Sequence, residues 1–118
     1  MLGQHFVQFT AQAQDFPSRA INLVVGFPPG GSNDIVARIL SARMTESFKQ
    51  QVIVENVGGA GGTLGAGNVA GAEADGYTIL YHNIGMATSP ALYRTLDYNP
   101  LTDFDYVGVV AHSTLVMV

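Results

Sequence analysis

"GFPPGGSND", residues 26–34, sits between the apolar run "INLVV" (21–25) and a stretch with helical periodicity. A strand, a Pro/Gly-bearing loop and a helix N-terminus, in that order, direct free backbone N–H groups at one point. The helix dipole favours an anion there. Pro28 and Pro29 set the approach angle through their fixed φ. Gly30 and Gly31 remove side chains, so a ligand can meet the backbone. Gly26 and Gly31 have the spacing of the first and last glycine of a P-loop, but Ser32 stands where that motif needs Lys. Without it nothing reaches the β- and γ-phosphates, which argues against nucleotide hydrolysis. The same segment is also what a tight strand-to-helix turn that binds nothing looks like.

Outward from this loop, "INLVVGF" (21–27) reads as a buried parallel strand. Residues 33–48 predict a helix, with Val36, Ile39, Leu40, Met44 and Phe48 at three- and four-residue spacing and Arg43 among them. Ser32 or Asn33 is its expected N-cap, and Asp34 suits the dipole in the first turn. "VIVE" (52–55) is a second strand. A tract with eight glycines between 58 and 76 follows. Its second half, with Leu64, Asn68, Val69 and Ala72, predicts a loose helix ending near Gly76. "YTILY" (77–81) is a third strand, and 87–95 predicts one or two helical turns behind Pro90. "YNPLTDFD" reads as a turn-rich connector. "YVGVVA" (106–111) and "TLVMV" (114–118) read as fourth and fifth strands. The order β-α-β-α-β-(short α)-β-β predicts an α/β fold, a mainly parallel sheet flanked by helices. A chain ending on an apolar strand leaves an edge that wants a partner, so self-association is expected there.

Composition narrows the function. The 118 residues are 47% apolar and 12% charged, with a net charge of −4 and no basic run. Nucleic acid is therefore not an expected partner. There is no cysteine, hence no disulfide or thiolate metal site, and no apolar run approaches a membrane span. Ala11 and Ala13 have the small-x-small spacing of an export-signal cleavage site, without the basic and apolar regions that precede one. Residues 1–15 are read as a tail or the remnant of such a signal.

The second glycine tract also follows a strand. Its Gly65-Ala66-Gly67 segment is a poor dinucleotide fingerprint, because it starts about ten residues too late. The third strand ends in "HNIG", putting His82 and Asn83 on the rim shared by both glycine loops. His5 and His112 have no zinc-like spacing with His82. A Ser32–His82–Asp34 triad can be written down, but no G-x-S-x-G elbow supports it and Asp34 is better explained by the helix dipole. No cofactor is expected.

Three stretches, "FPSRAINLVVGFPPGGSNDIVARIL", "VIVENVGGAGGTLGAGNVAGAEADGYTIL" and "SPALYRTLDYNPLTDFDYVGVVA", together resemble the Bug-type receptors of tripartite tricarboxylate transporters. The resemblance runs from about Phe16 to Val118. It implies a partial periplasmic-binding-protein (type II-like) lobe in an exported, non-enzymatic receptor. Such a receptor holds a small organic carboxylate or amino acid and delivers it to a membrane permease. By this likeness 16–118 is the N-terminal part of the first solute-binding domain and the second domain is absent, an incomplete copy. By the same likeness, Phe27, Pro28, Gly30, Gly31 and Ser32 match the first carboxylate-cradling loop. Ala60, Gly61 and Gly62 match the second, and His82, Asn83 and Ile84 fall in the loop that influences ligand choice. Two departures stand out. Val57-Gly58 replaces the family's Arg-Pro, and His82-Asn83 replaces small hydroxyl residues. The alternatives are a phosphate- or nucleotide-handling α/β enzyme and a self-associating fragment that binds nothing.

Overall fold

A computed structural model describes residues 15–114. Three strands, β1 (Ile21–Val25), β2 (Val52–Asn56) and β3 (Thr78–Tyr81), form a parallel sheet in the order β2-β1-β3. Helix α1 (Ser32–Phe48) connects β1 to β2. A 3₁₀ turn (Ala60–Gly62) and α2 (Thr63–Ala70) lead to β3, and α3 (Gly85–Leu92) follows it. The chain steps from β1 to one side and returns to the other. Right-handed crossovers therefore put α1 and α2 on opposite faces.

The core follows from strand register. Ile21, Leu23 and Val25 point to one face and are almost fully buried with Ala37 of α1 and Val52. Their register partners Val54, Ile79 and Tyr81 share that face and pack against the same cluster. Each such side chain, fully buried, contributes about 1.5–3 kcal/mol. Val24 points the other way and is also buried, toward the side where α2 packs on β1 and β3. Burial on both faces is why β1 reads as a continuous apolar run.

Helix α1 turns to the sheet a face that overlaps the one its apolar spacing suggests only in part: Leu40 and Met44 pack against the core, but the most buried positions are small or polar. The buried residues are Asp34, Ala37 and Ser41, while Ile39 and Phe48 are exposed, Val36, Leu40 and Met44 are half-buried and Arg43 pairs with Glu46 at 3.2 Å in solvent. Small side chains win because they let the helix approach closely enough for polar anchors. Ser41 Oγ donates to the Val52 carbonyl at 2.5 Å, and Thr45 Oγ1 accepts the Val52 N–H at 3.0 Å. The N-cap is Gly31, with no side-chain cap bond, so neither Ser32 nor Asn33 takes that role.

Other boundaries shift for local reasons. β1 stops at Val25 because Gly26 and Phe27 bend into the loop, and α2 stops at Ala70, well before Gly76. Helix α3 begins at Gly85 and contains Pro90. Pro90 has no N–H for the Met86 carbonyl, which instead accepts the Ser89 hydroxyl at 3.3 Å. The expected connector is a turn in which Asn99 Oδ1 accepts the Leu101 N–H and Asp103 accepts the Asn99 N–H. Residues 106–111 are not a strand. They are exposed, and their backbone makes no described hydrogen bond, with Val107 97% exposed. An apolar run becomes a strand only where a neighbour takes its backbone hydrogen bonds. The expected strand over 114–118 falls almost wholly outside the described residues, as does the tail expected over 1–15.

Candidate functional site at the carboxyl edge of the sheet

Because the strands are parallel and Val25 lies level with Asn56 and Tyr81, the loops after all three leave from one edge. β1 is central and the connections diverge from it, so this edge is a topological switch point, the usual ligand position in open α/β sheets. The first loop is 26–31, the second 57–62, and the third begins at His82.

Glycines let the loops interlock. A Cβ on Gly26 would lie 2.9 Å from the Gly62 carbonyl oxygen, and one on Gly65 would lie 2.9 Å from both the Gly26 Cα and the Val57 carbonyl oxygen. In the second loop Gly59, Ala60, Gly61 and Gly62 all have positive φ, which inverts the chain just before α2. Phe27 packs edge-on to His82, with centroids 5.3 Å apart, and both close over Gly62. Phe27, Gly62 and His82 are thus brought together, while Pro28 rests against Gly58. Gly31, Ser32, Ala60, Gly61, Asn83 and Ile84 stand exposed around them.

Gly30 is exposed and a Cβ there would meet nothing within 4 Å. Its N–H donates to Asp34 Oδ2 at 2.9 Å, so this amide is already engaged inside the protein. Asp34 is 3% exposed and also accepts Arg38 Nε at 3.0 Å and Asn56 Nδ2 at 3.0 Å. These donors, Arg38 foremost, then Gly30, then Asn56, hold its carboxyl down at about 2. Asp34 is therefore a structural anion for the first loop, more than a first-turn charge. The N–H groups of Ser32, Asn33 and Asp34 make no described hydrogen bond and form the open donor end of α1. Ser32, Asp34 and His82 do not assemble as a triad, since His82 Nδ1 is engaged by Asn83 and Asp34 by the other three.

His82 Nδ1 faces both the Asn83 N–H at 3.0 Å and the Asn83 carbonyl oxygen at 3.2 Å. Its Nε2 is buried without a partner. Asn83 Oδ1 accepts the Gly85 N–H at 2.9 Å and so starts α3. Sequence reasoning missed three contributors. Asn56 was visible in the Glu-Asn pair ending β2 but had no assigned task. Arg38 lies one turn after Asp34, the spacing of an ion pair. Tyr93, whose hydroxyl would lie 2.8 Å from a Cβ on Gly61, left no local signal, because α3 carries it back over the second loop. Among the described residues no group of side chains could hold a metal, and no helix is long and apolar enough to cross a membrane.

Residues 36–118 match the sequence family described as the tripartite tricarboxylate transporter family receptor. The chain belongs to that family. A curated relative from Agrobacterium vitis is 44% identical over all of this chain and 34% of its own length. The solved periplasmic binding protein BugD is 47% identical, with TM-score 0.73 over 75% of this chain and 30% of that one. MatC of Rhodopseudomonas palustris, solved with bound malate, is 40% identical with TM-score 0.66, over 75% of this chain and 31% of that one. This member of the receptor family thus spans about a third of the length of the curated relative it matches. The α/β architecture with its parallel sheet is that of these periplasmic binding proteins.

Proposed function

We propose that this chain forms the carboxylate-holding part of a periplasmic solute receptor that serves a tripartite tricarboxylate transporter and catalyses no reaction. The observation that carries the reading is the meeting of two glycine loops and the open end of α1 at one sheet edge, with no Lys or Arg from Pro28 to Asn33. A site of neutral backbone donors suits an anion held by N–H groups and ordered water. In this reading Ser32 and Asn33 supply N–H donors, Gly31 opens the approach, and Phe27 and Pro28 form the wall. Gly30 shapes the turn without donating to the ligand. Ala60, Gly61 and Gly62 form the second loop. His82, Asn83 and Ile84 shape the remainder of the ligand's surroundings and so influence which acid fits. The bound malate of MatC supports small carboxylates as the class, and amino acids share the same carboxylate. The membrane permease as recipient is part of the proposal.

The test is an amide NMR titration of this chain with malate, adipate and glutamate, with ATP–Mg as the contrasting probe. Saturable shifts at Gly31, Ser32, Gly61 and Gly62 with one of the acids are expected. Shifts confined to ATP–Mg would favour a phosphate-handling enzyme, and none at all would sink the carboxylate reading. Replacing Gly31 with Val tests the approach directly. Gly31 has φ −78 and its Cβ would meet nothing closer than the Pro28 oxygen at 3.8 Å. The variant should keep its melting temperature and lose the carboxylate response.

A further inference from the structure

We propose that Asn56 is a positioning residue that locks the first ligand loop to the root of the second, so that the two present their donors as one preset unit. Asn56 is the last residue of β2, immediately before the second loop. Its amide nitrogen donates to the Phe27 carbonyl at 3.0 Å and to Asp34 Oδ1 at 3.0 Å. Its carbonyl oxygen accepts Arg38 Nη2 at 3.4 Å. One side chain thus engages the middle of the first loop and the buried carboxylate that holds Gly30.

The consequences reach the third loop. Asn56 holds the backbone of Phe27, and the Phe27 ring packs on His82 and Gly62. The position of that carbonyl therefore sets where the ring meets the other two loops. Asn is chemically required here. Its two N–H donors face two acceptors, while its oxygen faces a donor. An isosteric Asp would set a second carboxylate against Asp34 and an acceptor against the Phe27 carbonyl. Arg38, from α1, is the charged group bonded to Asp34. β2 faces it with neutral Asn56 and the first loop with the Gly30 amide.

The functional side of this inference rests on the carboxylate reading, and its experiment separates the two. Affinities of wild type and Asn56→Asp for malate and for adipate are measured by calorimetry from pH 8 to pH 5. Their ratio at each pH cancels protonation of the acid itself. At pH 8 the variant should bind about tenfold more weakly or worse, as expected for losing two part-buried hydrogen bonds. The ratio should narrow toward pH 5, because the Asp34 carboxylate beside it raises the introduced Asp's pKa, so that it takes up a proton there and regains one donor. A ratio independent of pH, or no loss at all, overturns the proposal.

Asn56→Ala covers the case in which the Asp variant does not fold, and should bind as weakly at every pH. A wild type silent to both acids counts against the carboxylate reading alone. The lock is then judged without ligand, from the Asn56 side-chain amide protons. Slow exchange in wild type, lost in Asp34→Ala, supports the lock. Exchange as fast as that of a free amide overturns it.

Discussion

Gly30 and Gly62 have the same left-handed backbone, at φ +87 and +92, but a methyl group meets nothing at Gly30 and the buried His82 Nε2 at Gly62. Gly30→Ala should therefore cost only the backbone term, about 1–2 kcal/mol. Gly62→Ala adds overpacking against His82 and Phe27 and should reach about 2–4 kcal/mol by urea unfolding. Equal costs would mean that His82 does not close over Gly62. Asp34 governs the acid response. Its carboxyl is held at about 2 in the folded chain, below the ordinary value of about 4 for an unfolded Asp. Its contribution is complete above about pH 4 and is lost as pH falls toward about 2, because the unfolded state takes up the proton first. Stability followed by circular dichroism should decline through that window, and Asp34→Asn should flatten the decline. From the sequence Asp34 was legible as a helix-start charge. Its three donors come from the loop, from α1 and from β2, and only the last two left a local trace, in the Asp34–Arg38 spacing and in the Glu-Asn pair that ends β2.

At the scale of elements, α1 shows what periodicity captures. Apolar residues at three and four spacing identified a helix ending at Phe48, yet they surround much of its circumference, with Ile35 and Ile39 more than half exposed. The sheet-facing side is chosen by closeness, so Ala37 and Ser41 occupy it. Two substitutions separate the alternatives. Ile39→Lys should change stability by no more than about 0.5 kcal/mol, as for an ordinary surface position. Ala37→Leu should destabilise by about 1–3 kcal/mol, because the residue is fully buried against β1. Thermal melts of the two variants check the assignment, and a reversed order would restore the face read from periodicity. The first three strands were easier to read: each is short and largely apolar, and the connecting helices require parallel pairing.

For the whole molecule, the parallel sheet, its helices and the family were legible from the order of local signals. The glycine loops, the order of strands and helices, and the Pro-Gly junction that opens α1 are written in consecutive residues, and short-range sterics decide them. Residues 106–111 mark the boundary of that legibility. Their amides should exchange with solvent within minutes while those of β1 remain protected, as hydrogen-exchange mass spectrometry would show. Protection there at high protein concentration alone would reveal the self-association expected of an unpaired apolar segment. The sequence by itself determined which segments become strands, helices and sharp loops as far as α3. It also showed where the chain carries no cation to meet an anion. Tertiary structure alone decided which face of α1 is buried, that Gly30 serves Asp34, and that Asn56 and Tyr93 reach the loops at the carboxyl edge of the sheet. Those outcomes depend on atoms far apart in sequence meeting within hydrogen-bond or van der Waals distance, and no local pattern encodes such a meeting.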